Sequence, residues 1–159
     1  MHALTIASAL FLLAPAVAAA VRGSTCSNHG SCALCVAFFA VSVMSCVASV
    51  MQHATEKIGG VDGPLERPCW MNANRWLWID RTFARVLALG ALVVSVLDVS
   101  NVPAYFWFMS AIALVLIVLS DLCSWQEAEP KLYACVHCAW HGLASATLVV
   151  LIVASSFLD

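Results

Sequence analysis

Charged side chains are scarce in this chain: 10% of its 159 residues, against 63% that are hydrophobic. A soluble domain carries about 25% charged residues, so the deficit excludes an ordinary water-facing surface. An excess of positive charge is also missing, since 7 Lys and Arg face 9 Asp and Glu for a formal net charge of -2. With no basic patch interleaved with aromatics and no nucleic-acid motif, there is no nucleic-acid partner to expect. What is abundant is apolar sequence in long runs, unlike the short periodic stripes of a soluble core. That pattern is an all-α, polytopic membrane helix bundle.

Four runs reach the roughly 20 residues that a bilayer requires: 31–53, 76–98, 102–122 and 132–156. A fifth, 3–21, is shorter and alanine-rich, and it leads into Ala18-Ala19-Ala20, small residues of the kind signal peptidase cleaves. It lacks the usual positive start, since only His2 precedes it. Residues 1–21 therefore read as a signal peptide, with an uncleaved first span as the alternative. A short exported, Cys-containing segment, 22–30, and the bundle, 31–159, follow.

Basic residues orient the bundle. If 31–53 runs inward, one side collects Lys57, Arg67, Arg75, Arg81, Arg85 and Lys131, and Arg22 alone lies opposite. An excess of Lys and Arg marks the cytoplasmic side. Trp70, Trp76, Trp78 and Trp125 fall near that interface, where aromatic side chains concentrate. The expected location is the secretory pathway or the plasma membrane.

The 8 cysteines divide by side. Cys26, Cys32 and Cys35 lie at the exported end, where a disulfide persists. The stretch from Cys26 to Cys32 looks like a fragment of an EGF-like module, although a short loop closed by one disulfide is the simpler expectation. Cys46, Cys69, Cys123, Cys135 and Cys138 lie in or near the reducing half.

Polar residues that lipid-facing helices avoid recur at one depth. His53 closes the second run, with Ser49 one turn earlier on the same face. Asp80 opens the next run, and His137 and His141 open the last. The end of one helix, the start of its antiparallel neighbour and the start of a helix two crossings later share one membrane side, here the cytoplasmic one. Three neutral imidazoles would hold zinc and leave its fourth position to water, the pattern of catalytic zinc sites. Asp80 is placed to accept the water's proton and Ser49 to donate to an oxyanion. Glu56, Asp62, Glu66, Glu127 and Glu129 read as solvated loop charges, with support of His53 by Glu56 as the lesser alternative.

This ordered set, Ser49-x3-His53, then Asp80, then His137-x3-His141, resembles the CREST superfamily of membrane hydrolases, which includes the alkaline ceramidases, the progestin and adipoQ receptors, and the myomaker and GPI-processing phospholipases. Trp140 just before His141, and an aromatic-rich stretch before Asp80, add to the likeness. The resemblance covers roughly residues 36–155. It implies a zinc-dependent hydrolase of a lipid amide or ester bond, with His53, His137 and His141 as zinc ligands, Asp80 and Ser49 as catalytic groups, and a membrane lipid as substrate. The family has seven spans and this chain offers five at most, so the form is shortened. A homo-oligomer, with a second copy supplying the missing helices, stands open.

Blander readings accompany each residue. The histidines suit a hydrated interface, Asp80 an ion pair with Arg81 or Arg85, and Ser42, Ser45 and Ser49 a close helix contact. Asp98 and Asp121 read as span-end carboxylates that water reaches. Two other functions fit part of the pattern: a non-enzymatic bundle clamped by structural zinc, and a four-helix thiol oxidoreductase using Cys135 and Cys138. A haem held by two histidines would leave the third unused.

Overall fold

The computed structural model describes residues 1–26, 29–58, 61–63, 73–125 and 130–158. A backbone surrounded by lipid must satisfy its N–H and C=O groups internally, and the apolar runs duly coil. The described helices are α1 (His2–Ala9), α2 (Leu13–Gly23), α3 (His29–Thr55), α4 (Ala73–Leu97), α5 (Ala104–Trp125) and α6 (Pro130–Ala154). α1 and α2 form one rod, joined by a 3-10 turn at Leu10–Leu12. Pro15 accounts for that turn. It has no N–H for the Phe11 carbonyl and its ring crowds that group, so the chain tightens just ahead of it.

Four rods are long and apolar enough to cross a membrane: His2–Gly23, His29–Thr55, Ala104–Cys123 and Pro130–Ala154. The tally is four, as expected, but its membership differs. The first run joins it and α4 does not, because Arg75, Asp80, Arg81 and Arg85 crowd the first half of α4. The second half is apolar, with Leu89, Val93 and Val96 exposed on its outer face. Phe108, Leu114 and Val115 do the same on α5. Apolar outer faces of this kind fit an integral membrane protein.

The rods pack as an arc. The first rod lies against both α3 and α6, α4 packs on α3, and α5 packs on α6. Small residues let α3 approach its neighbours: Ser42, Ser45, Cys46, Ala48 and Ser49 are all buried. The apolar core lies towards the end where α2 closes and α3 opens, built around Phe38, Leu87, Leu151 and Ile152. A short antiparallel pair, β1 (Lys57–Ile58) and β2 (Val61–Asp62), follows α3, with Lys57 opposite Asp62 and Ile58 opposite Val61. Gly63 just after it passes so close to the Ala54 carbonyl that any Cβ would collide.

Two expectations need correction at that same end. Asp98 is not a hydrated carboxylate but only 3% exposed. It accepts hydrogen bonds from the Ser155 hydroxyl (2.7 Å), the Ser156 backbone N–H (2.5 Å), the Ser156 hydroxyl (2.9 Å) and Asn101 Nδ2 (2.7 Å). Arg22 reaches from the first rod to the Leu158 and Ser155 carbonyls at 3.3 and 3.2 Å. The close of α6 is thus tied to both the α4–α5 corner and the first rod, which satisfies carbonyls that the helix end leaves open. The second correction concerns the thiols. Cys26, Cys32 and Cys35 are free, and Cys26 Sγ lies 3.7 Å from Cys35 Sγ as a thiol–thiol contact with no disulfide. Asp121 is exposed as expected, and it pairs with Arg81 at 3.2 Å. Trp70, Cys69, Arg67 and the side chains of Lys57 and Trp125 lie outside the described residues.

Candidate metal centre

Helical spacing brings the centre together. Ser49 and His53 are one turn apart on α3, and His137 and His141 one turn apart on α6, so each pair projects from one face. Asp80 lies in the second turn of α4. His53 and His141 are 1% and 0% exposed, and Ser49 is 0% exposed. His53, His137 and His141 present ligand nitrogens that all lie within 4.8 Å of one another. Their rings contact pairwise, with centroids 4.6 Å apart for His53 and His137, 4.5 Å for His137 and His141, and 5.6 Å for His53 and His141. Trp140 packs on His137 and His141, with centroids at 5.6 and 4.7 Å.

Each imidazole uses its two nitrogens differently. The Nδ1 atoms point outwards to fixed partners. His53 Nδ1 meets Glu56 Oε1 at 2.5 Å, His137 Nδ1 meets Ser120 Oγ at 2.7 Å, and His141 Nδ1 meets Ser8 Oγ at 3.0 Å. The Nε2 atoms turn inwards. His137 Nε2 is 2.9 Å from His53 Nε2, and His141 Nε2 is 3.4 Å from Ser49 Oγ. Outward Nδ1 bonds that set ring orientation are the usual support of metal-binding histidines.

Protons can be assigned along one arm. A carboxylate only accepts, so His53 donates its Nδ1–H to Glu56, and its Nε2 carries a lone pair. His137 Nε2 then donates to that lone pair, and His137 Nδ1 accepts from the Ser120 hydroxyl. Glu56 is itself held, since its Oε2 receives Gln52 Nε2 and Tyr133 OH, each at 3.4 Å. The His53 and His137 nitrogens are spaced for a small ion, and the His141 nitrogen lies within 4.8 Å of them. Ligand nitrogens about 2.0–2.1 Å from a tetrahedral centre lie about 3.3 Å apart, a few tenths of an ångström more than the 2.9 Å between the His53 and His137 nitrogens. The Ser120 hydroxyl rotates, so it can accept from His137 once an ion takes the inward nitrogen.

Asp80 is buried, with 8% of its surface exposed, and lies close enough to Ser49 and His53 to feel both. The ion pair expected with Arg81 gives way to the Arg81–Asp121 bridge. All five residues expected from the sequence therefore meet. Sequence reasoning passed over Ser120 and Ser8. Counting crossings for serines as well as histidines would have found both, because the end of α5 and the start of α1 lie at the same depth. The alternative thiol pair stands apart from the centre: Cys135 is exposed, and Cys138 Sγ contacts the Leu4 carbonyl at 3.6 Å.

Comparison of the chain with protein-family models, curated proteins and solved structures finds no match.

Proposed function

We propose that the chain is a zinc-dependent intramembrane hydrolase that cleaves an amide or ester bond in a membrane lipid. The observation that carries this reading is the convergence of three imidazoles, each with Nδ1 bonded outwards, beside a buried carboxylate and hydroxyl. Neutral nitrogen donors in a water-poor site suit zinc better than the oxygen-seeking magnesium or calcium. Zinc held by His53, His137 and His141 would lower the pKa of a bound water towards about 7 and polarise a carbonyl.

The remaining chemistry belongs to the chain. Asp80 accepts the proton of the attacking water and later returns it to the leaving amine or alcohol. Ser49 donates to the oxyanion that develops on the substrate carbonyl. Glu56, Ser120 and Ser8 keep the three rings from rotating. The apolar outer faces of the rods give lipid direct access to the protein, and charge bias supports placing the centre near the cytoplasmic face of a secretory-pathway or plasma membrane. Membership of the CREST superfamily, in shortened form, is part of this proposal and rests on the same five residues.

Burial favours one second reading. With His53 and His141 at 1% and 0% exposed, a structural zinc that clamps α3 to α6 is the non-enzymatic alternative. The deciding experiment measures zinc in detergent-purified wild type and in a His137→Ala/His141→Ala double variant, then screens amide- and ester-linked lipids for turnover. About one zinc per chain, lost in the variant, with hydrolysis of a lipid class, supports the hydrolase. Zinc without hydrolysis supports the clamp. A folded wild type without zinc overturns both.

A further inference from the structure

The first apolar run has the composition of a removable leader, yet its buried stripe points to a lasting place in the bundle. Thr5, Ser8, Ala9, Leu12, Ala16 and Ala19 recur at helical spacing, and each is 5% exposed or less. They face α3 and α6, two helices that the first rod joins. Contacts with α6 run in step along both rods: the Cys138 thiol reaches the Leu4 carbonyl at 3.6 Å, His141 reaches Ser8 at 3.0 Å, and Gly142 lies beside Phe11. His141 is wholly buried with this rod in place.

The Ser8 hydroxyl has one hydrogen and two neighbours. It lies 2.8 Å from the Thr5 carbonyl and 3.0 Å from His141 Nδ1. If it donates to His141, the Thr5 bond is lost. If it donates to Thr5, its oxygen accepts from His141 Nδ1–H and both bonds form. The first arrangement makes one of these bonds and the second makes both, and an added bond stabilises a buried site, so the second arrangement prevails. It leaves the lone pair of His141 Nε2 facing the centre, next to Ser49 Oγ at 3.4 Å.

We propose that the rod His2–Gly23 is a permanent part of the working protein, and that Ser8 within it is a positioning residue that holds His141 in its Nδ1–H form with Nε2 turned to the centre. The inference deepens the zinc reading, and its metal readout rests on that reading. The tautomer and the fate of the rod can be measured without it.

The test uses the full chain extracted from membranes. Intact mass establishes first whether the rod remains, and loss of the segment overturns the proposal at once. Zinc affinity is then measured by competition with a chelator in wild type, Ser8→Ala, Ser8→Thr and Thr5→Ala. Loss of an outer partner of a metal-binding histidine weakens affinity about 10- to 100-fold, which is the result expected for Ser8→Ala. Ser8→Thr keeps the hydroxyl and should stay within a few-fold of wild type. Thr5→Ala removes a hydroxyl from the same face that, among the described residues, bonds the His2 carbonyl alone, and it should bind as wild type does. If Ser8→Ala does not fold, Ser8→Cys, whose sulfur is a poor acceptor, takes its place.

Unchanged affinity in Ser8→Ala overturns the inference. If wild type itself binds no zinc, the metal reading fails and the tautomer decides alone. Nitrogen-15 NMR of metal-free protein should show His141 as a single Nδ1–H form in wild type and a mixture in Ser8→Ala. The same spectrum in both would refute the role of Ser8.

Discussion

His53 on α3 and His137 on α6 meet Nε2 to Nε2 at 2.9 Å, from positions 84 residues apart in sequence. Two uncharged imidazoles at that distance need one shared proton between them, and a metal ion can take its place. The predictions below follow from that exchange and from the groups that hold the rings.

Replacing any one of the three histidines should remove the ion, because two remaining nitrogens cannot complete a tetrahedral site. His53→Ala should fall from about one zinc per chain to a small fraction of that, read by elemental analysis of purified protein. Full zinc in this variant would remove His53 from the ligand set.

Asp80→Asn keeps the shape of the side chain and removes its basicity. Zinc content should be retained while lipid turnover drops about 10²- to 10⁴-fold, the usual contribution of a positioned proton acceptor. Unchanged turnover would leave Asp80 with no more than a packing role beside Ser49.

Ser120→Ala and Glu56→Ala take away the outer partners of His137 and His53. Each should weaken zinc binding about 10- to 100-fold, and Glu56→Gln, which keeps an accepting oxygen, should weaken it less than Glu56→Ala. Chelator competition reads the order, and equal affinities for Glu56→Gln and Glu56→Ala would refute the bond to His53 Nδ1.

Asp98 gives the protein an acid-sensitive corner. Burial alone would push its carboxyl up, but hydrogen bonds from Asn101, Ser155 and Ser156 outweigh it and hold the group down at about 2 from an ordinary 3.8. A depressed folded value means that its stabilising effect is complete above about 4 and is lost as pH falls towards about 2. Thermal unfolding in detergent should therefore drop across that window in wild type and change less in Asp98→Asn. Asp98→Asn should also melt lower at neutral pH, by about 1–3 kcal/mol for a buried bond to a charged group.

Ser49→Ala removes the donor to the oxyanion while leaving all three imidazoles in place. Turnover should fall about 10²- to 10³-fold with zinc unchanged. A loss confined to substrate affinity would reassign Ser49 to helix packing.

The helices were legible because lipid leaves the backbone no partner but itself, so apolar run length alone marks 31–53, 102–122 and 132–156 as rods. Four of the five polar residues were legible for a related reason: His53, Asp80, His137 and His141 are costly at that depth, and counting crossings puts them on one side, with Ser49 one turn from His53. Asp98 was misjudged because position at a span end looks the same whether water or a serine lies beside it. The disulfide expected among Cys26, Cys32 and Cys35 is absent, because closeness in sequence carries no statement of bond formation. Ser8 and Ser120 drew no attention because a lone serine is cheap in a helix, where its hydroxyl can return to a backbone carbonyl.

Composition and periodicity by themselves determined that this chain is a helical membrane protein with imidazoles gathered at one level. Depth is a one-dimensional quantity that can be counted along the chain. Only the tertiary structure decided which faces turn to one another: that α3 and α6 aim their imidazoles inwards, that α1 lends Ser8 to His141, and that Arg81 looks away to Asp121. Rotation of a helix about its own axis and the choice of its neighbours depend on contacts between residues far apart in sequence, and no local pattern records them.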